Sequence, residues 1–319
     1  MKKKRWGKKY VDKRDWHTYN EKLVRRGEAY VSLNFIDTWS KDVKKLNKRK
    51  VGAPFRYPDS LMVFLAYLHL LLHIDYRGIE GFLRGLSKLI CFDIPDYSTI
   101  SRRVNRVEVM IHKTLMSYKG EDVVISLDSS GVKVTNRGEW MREKWRVRRG
   151  WIKVHIAVDD RGKQLVGIKV TDESVHDTDE FEDLVDQSVE NVMGADGNVV
   201  QANADGAYDS NDNFIKLDEH EIQPGIKIRK PPPNARSKNP RKKYAREFHM
   251  LGYKRWRRKY KYGKRWYAEG MFSGVKRKCG EYVRATKTEN MLHEVKLKFL
   301  FYSALLKYDV THELPWVTG

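Results

Sequence analysis

Two short apolar runs in the second half of the chain each lead into an aspartate, and they constrain the fold more than any other feature. Val123-Val124-Ile125-Ser126-Leu127 precedes Asp128, and Val199-Val200-Gln201-Ala202-Asn203-Ala204 precedes Asp205. Runs this short and this apolar fit strands buried on both faces. Further strands are expected at residues 132–135, 154–158, 164–170 and 222–228, with helices at 179–190 and 211–219. Leu292, Val295, Phe299, Tyr302 and Leu306 recur at three and four residues, a helical stripe facing a core. Strands followed by alternating helices and strands imply an α/β sheet covered on its faces.

The first ~120 residues read as helical. Tyr57-Pro58-Asp59-Ser60 starts a helix, with Pro58 pre-set for the first turn, and residues 61–74 are apolar on every face and therefore a buried helix. A turn at 75–78 leads to a second helix near 79–89. Pro95 closes the next loop, and Ser98 or Thr99 caps a third helix carrying Ser101, Arg102 and Arg103. Three short helices with arginines near the start of the third fit a helix-turn-helix DNA binder, and equally a small helical bundle. The apolar run at 61–74 is shorter than the ~20 residues a bilayer span needs, and its internal position excludes a signal peptide. No membrane partner is expected.

A chain of 319 residues suggests two domains at roughly 150 residues each. The expected organisation is a basic arm at 1–50, a helix-turn-helix-like domain at 51–120, a catalytic domain at 121–308 and a tail at 309–319. Hydrophobic residues at 40% exclude wholesale disorder, and two cysteines, Cys91 and Cys279, exclude a disulfide framework and a four-cysteine zinc site. Both are expected to be packing residues in a reducing, cytoplasmic setting.

The net charge of +21 is segregated. Residues 1–50 hold 17 Lys/Arg against 6 Asp/Glu, residues 133–153 hold 8 against 2, and residues 227–265 hold 17 against the single acid Glu247. Residues 157–221 run the other way, with 4 basic and 18 acidic side chains. Solubility alone requires no such blocks; basic grooves around an acidic centre that handles cations would explain them. In the third block basic residues, Arg255, Arg257 and Arg258 among them, alternate with Tyr253, Trp256, Tyr260, Tyr262 and Trp266. Aromatic faces can stack on bases while basic neighbours hold phosphates. Pro231-Pro232-Pro233 marks a rigid loop, and no internal repeat stands out.

An acid at a strand's carboxyl end lies on the edge where α/β ligand sites form. Asp128 and Asp205, on neighbouring strands, would converge and require a hard cation such as Mg²⁺ or Mn²⁺; singly, each would cap a turn. Glu269 adds a third carboxylate, in Tyr262-x2-Arg265-x3-Glu269-x6-Lys276. At about 100° per residue these offsets fall within roughly 60° of one helical face, setting a carboxylate beside a phenol, a guanidinium and an ammonium. That combination suits a metal ion beside a phosphate; a solvated amphipathic face is the plain alternative. Asp159-Asp160 reads as a hairpin turn, His176-Asp177 as a loop beside a helix cap, and Asp209 as the cap of the helix that follows it.

The order Asp128, Asp205, then Glu269 within Tyr-x2-Arg-x3-Glu-x6-Lys resembles the DDE transposases of prokaryotic insertion sequences, in particular the group carrying that signature. Leu127-Asp128-Ser129 and Ala204-Asp205-Gly206-Ala207-Tyr208 look like that family's blocks, as do Tyr57-Pro58-Asp59-Ser60-Leu61, Tyr76-Arg77-x2-Glu80-Gly81-Phe82 and Asp96-Tyr97-Ser98-Thr99. The likeness runs from about residue 50 to 306. It implies an RNase H-like core, a mixed sheet flanked by helices and preceded by a helical N-terminal domain. It further implies two Mg²⁺ or Mn²⁺ ions held by Asp128, Asp205 and Glu269, and DNA contacts near the cut from Tyr262, Arg265 and Lys276. The insert at 136–153, with Trp140, Arg142 and Trp151, is a candidate for gripping the element's end; packing of its hairpin explains the tryptophans equally well. Double-stranded DNA, as terminal inverted repeats and target, is the implied partner of a synaptic homodimer at the nucleoid. A nuclease lacking strand transfer and a non-catalytic DNA binder are the competing functions. The intact acids argue against the binder, and only the resemblance separates transposase from nuclease.

Overall fold

The computed structural model describes residues 14–134, 151–172, 174–176, 178–229 and 238–311. Thr135, Trp140, Arg142, Asp177 and the Pro231–Pro233 run lie outside the described residues, as do 1–13 of the expected arm and 312–319 of the tail.

Among the described residues six α-helices come first: α1 (Trp16–Arg25), α2 (Phe35–Asn47), α3 (Asp59–Leu71), α4 (Tyr76–Leu86), α5 (Tyr97–Val104) and the single turn α6 (Ile111–Thr114). Residues 61–71 of α3 are buried on every side, as an all-apolar helix requires. The helix stops before the expected end at 74 because His73 takes a left-handed φ of 61°. Pro58 is the N-cap of α3 rather than its first turn. The expected turn at 75–78 is the first turn of α4, with Asp75 accepting from the Gly78 N–H at 2.8 Å. The α5 cap is Asp96, not Ser98 or Thr99; one oxygen of its carboxylate accepts both of their backbone N–H groups at 2.9 Å, satisfying two orphan helix donors.

The sheet contains β1 (Glu121–Lys133), β2 (Trp151–Asp159), β3 (Leu165–Asp172), β4 (Gly197–Ala204) and β5 (Gln223–Ile226) in the order β3-β2-β1-β4-β5. β1 runs antiparallel to β2 and parallel to β4; β2 is antiparallel to β3, and β4 parallel to β5. The expected strand at 123–128 and the start of the one expected at 132–135 are one strand, because Ser129-Ser130-Gly131 stays paired with His155, Val154 and Lys153 of β2 instead of turning. α7 (Phe181–Gly194) joins β3 to β4, and α8 (Asn211–Glu219) joins β4 to β5. α9 (Arg241–Lys259), α10 (Trp266–Cys279) and α11 (Thr288–Thr311) follow. Helices α7, α10 and α11 pack on the sheet, and α11 also meets α3, where Tyr67 and Phe301 lie edge to face at 5.6 Å. One buried core therefore runs from the N-terminal helices through the sheet layer. α10 crosses α11 at Gly274, where a Cβ would collide with the Tyr302 hydroxyl.

α9 is not straight. The Tyr260 hydroxyl donates to Glu247 at 2.9 Å, and the rings of Phe248 and Trp256 are 5.1 Å apart. Thirteen residues of straight helix would span about 20 Å. The chain folds back at Gly252, whose φ of 67° and ψ of 159° lie in a region nearly closed to side-chain-bearing residues. Two arms result, enclosing Trp256, Tyr260 and Tyr262 against Tyr244, Phe248 and Leu251. Gly252→Ala meets no steric neighbour, so its expected loss of about 1–3 kcal/mol is purely backbone strain. Denaturant unfolding measures it, and an unchanged midpoint would refute the fold-back. Among the described residues, no helix is long and apolar enough to cross a membrane.

Candidate active site

Ser126 on β1 pairs in parallel with Asn203 on β4. Two residues further along each chain lie Asp128 and Asp205. With a side-chain period of two and a strand spacing of about 4.8 Å, the two acids leave one sheet region on the same face. Asp128 is inside β1, not at its end; it stands where β1 outruns its pairing with β4. Asp205 follows β4 directly, and its carboxylate caps the 3₁₀ turn Gly206–Tyr208 through the Ala207 N–H at 2.6 Å. Glu269 lies in the first turn of α10, which packs on β1 and β2.

Arg265 joins these acids. Its guanidinium is 3.5 Å from the Asp128 carboxylate and ion-pairs with Glu269 one helical turn on. Burial pushes the Asp128 carboxyl up to about 6; Glu269 and Asp205 add to the rise, while Arg265 and the Ser129 N–H oppose it. Burial also works against the Arg265 cation, but Tyr262, Asp128, Glu269 and Asp205 outweigh it and hold the guanidinium above its ordinary value. Lys276 reaches back to the Ser130 hydroxyl at 3.1 Å and so docks α10 on β1. Tyr262 does not share the helical face expected for it. It sits in a separate 3₁₀ turn, Tyr262–Arg265, entered through a left-handed Lys261, and its buried ring packs 4.9 Å from Trp256. Burial raises its hydroxyl to about 12, with Asp205 adding and Arg265 opposing.

The support beneath the site has no counterpart among the sequence expectations. Gln201 donates to Asn203 at 2.8 Å and to the Tyr260 carbonyl at 2.6 Å, and the Ser126 hydroxyl donates to the Lys264 carbonyl at 3.4 Å. Asp160 pairs with Lys264, so the β2–β3 turn also holds the segment carrying Arg265. Asp159 behaves as a turn residue, accepting from the backbone of Gly162, Lys163 and Gln164. Asp209 is not the cap of α8; Ser210 is. Asp209 instead forms a fully buried two-pronged pair with Arg241 at 2.6 and 2.8 Å. The alternation of charged and polar residues around 241 carries no local trace of that pairing.

The remaining DNA-contact candidates fall into three groups. Trp151 is exposed at the start of β2, its ring over Gly131 and under the Lys133 ammonium at 5.8 Å. Arg102 folds back on its own helix, reaching the Ser98 carbonyl and the Thr99 hydroxyl at 3.3 Å; Arg103 is half-buried, bound to the Tyr57 carbonyl and Asp59 at the start of α3. Arg255, Arg257 and Arg258 are exposed on the second arm of α9. Trp256, Tyr260 and Tyr262, expected to stack on bases, are buried among themselves because they supply the hairpin's own core. Tyr253 and Trp266 remain exposed, in a cleft of about 710 Å³ that Arg257, Arg258, Lys261 and Lys264 also line. Cys279 is buried as expected, but Cys91 is exposed.

Among the described residues, no three His, Cys, Asp or Glu side chains converge closely enough to hold a metal ion. The Arg265 guanidinium is the cation found against Asp128 and Glu269. Three carboxylates are nonetheless the oxygen donor set that a hard divalent ion takes, and the mutual repulsion felt at Asp128 is what such an ion relieves.

Residues 119–303 match a family model described as a transposase DDE domain, and residues 24–137 match a second model of the same description. The chain is also similar to a solved structure, the cryo-EM structure of the piggyBac transposase synaptic complex with hairpin DNA. Identity is 11%, the match covers 91% of this chain and 74% of that one, and the TM-score is 0.38.

Proposed function

Because the chain belongs to the transposase DDE domain family, we propose that it is the transposase of a prokaryotic insertion sequence, binding the element's terminal inverted repeats and catalysing DNA cleavage and strand transfer. The observation that carries this reading is that Asp128 and Asp205 stand on adjacent parallel strands, with Arg265 bound to both Asp128 and Glu269 and the other two acids felt electrostatically at Asp128. The strand order, with the antiparallel meander β1-β2-β3 on one side of the sheet and the parallel strands β4 and β5 on the other side of β1, supports an RNase H-like core. On this reading residues 121–308 are the catalytic domain, 51–120 a DNA-binding domain and 1–50 a basic arm. Two copies pair the two ends of the element at the nucleoid.

Asp128, Asp205 and Glu269 would hold Mg²⁺ or Mn²⁺, which supplies charge neutralisation at the attacking and leaving oxygens of a phosphodiester. Arg265 and Lys276 orient the phosphate from the α10 side. Tyr262 keeps its proton across the physiological range, so its hydroxyl is available as a donor. Arg255, Arg257 and Arg258 hold the duplex backbone. Replacing these three by neutral residues is expected to weaken DNA binding. The slope of log affinity against log salt should also flatten, by about 0.9 for each phosphate that is no longer neutralised. Unchanged salt titrations would make that arm a solvated face.

The test is incubation with a donor carrying the terminal inverted repeats, a target plasmid and Mg²⁺ or Mn²⁺. Cut and joined products are expected. Cut ends that never join would make the chain a nuclease, and binding without cutting would make it a DNA binder.

A further inference from the structure

The basic hairpin of α9 is fastened at both feet to the segment that carries Asp205. At its first foot Arg241 is clasped by Asp209, with both side chains almost wholly buried. The same Asp209 carboxylate accepts the Arg229 N–H at 2.8 Å, and Asn239 donates to the Asn211 carbonyl at 3.3 Å. At its second foot the Tyr260 carbonyl accepts from Gln201 at 2.6 Å. Gln201 lies on β4 four residues before Asp205, and Asp209 lies four residues after it. Between the feet the hairpin has its own aromatic core and an internal tie from Glu247 to Lys259 and Tyr260, and Tyr244 of its first arm packs on Phe214 of α8. Its placement relative to the segment carrying Asp205 is set where it is tied down. A buried charge pair and a buried amide are costly ways to hold a surface insert, since each leaves an unsatisfied group if its partner departs.

We infer that Gln201 and Asp209 are positioning residues that set the basic hairpin, and the DNA lying on it, in register with Asp205. This rests on the transposase reading. Neither residue touches DNA, and neither contributes to the positive face, so their loss separates how tightly DNA is held from where it is cut.

The experiment uses the full chain and a labelled duplex carrying a terminal repeat, with affinity, salt dependence, cleavage rate and cut position read at single-nucleotide resolution. Asp209→Asn and Gln201→Leu are each expected to bind within about twofold of wild type. Cutting should slow roughly tenfold to a hundredfold, the scale of an ångström-sized misplacement, and spread to neighbouring phosphodiesters. Should Asp209→Asn fail to fold, Gln201→Leu carries the test, because it removes no buried charge. A folded variant that cuts at the wild-type rate and position overturns the inference, even if its thermal stability has fallen. A wild-type protein that binds but never cuts overturns the transposase reading and this inference with it.

Discussion

Glu269→Gln is expected to bind DNA ends as the wild type does and to cut them about a hundredfold to a thousandfold more slowly, the range for removing one stabilising group from a preorganised site. The change replaces one oxygen by NH₂ and preserves shape, so α10 keeps its place on β1 and β2. The ion pair with Arg265 is lost, which frees a cation rather than removing one. DNA affinity should therefore hold or rise slightly. Gel shift and cleavage on the same labelled end measure the two effects together. A variant that cuts normally would remove Glu269 from the proposed metal ligands.

The second large effect concerns Asp128. With its carboxyl pushed from an ordinary 3.8 to about 6, the folded protein holds this proton more tightly than the unfolded chain does. Its contribution to stability is thus fully present below pH 3.8 and is lost as pH rises through about 6. Asp128→Asn carries no such loss. In chelator the variant should be the more stable protein at pH 7 to 8, by on the order of 2–3 kcal/mol, and the difference should vanish towards pH 4. Added Mg²⁺ or Mn²⁺ should stabilise the wild type at pH 7 and leave the variant unchanged, while the variant does not cut DNA. Urea unfolding across this range checks the sign; a difference independent of pH would show that Asp128 is not strained by burial.

Much of this architecture is legible in the sequence because buried strands are written as unbroken apolar runs. Both aspartates and the all-apolar α3 stand out that way. The adjacency of β1 and β4 does not: some 70 residues separate them, and parallel pairing leaves no local mark. Ser129-Ser130-Gly131 resembles a turn because its small residues permit one, and the ladder to β2 decides otherwise. Spacing brings Arg265 to Glu269, whereas Lys276 reaches Ser130 of β1 instead, and Tyr262 is set apart by the left-handed Lys261, which no periodicity reveals. The aromatics at 256–262 suggest base stacking because a basic segment gives no apolar stripe from which to infer a private core. Asp209 points in sequence to its nearest helix, whereas its partner Arg241 lies 32 residues away.

The crossing at Gly274 gives the site an unequal suspension. Two acids stand just beyond the β1–β4 ladder, whose last pair, Ser126 with Asn203, sets where both chains leave it. The third rides on a helix whose distance from α11 is gauged by how near one bare backbone can lie to the Tyr302 hydroxyl. A single methyl group at 274 would act as a shim between these two helices, about 7.5 Å along the helix from Glu269.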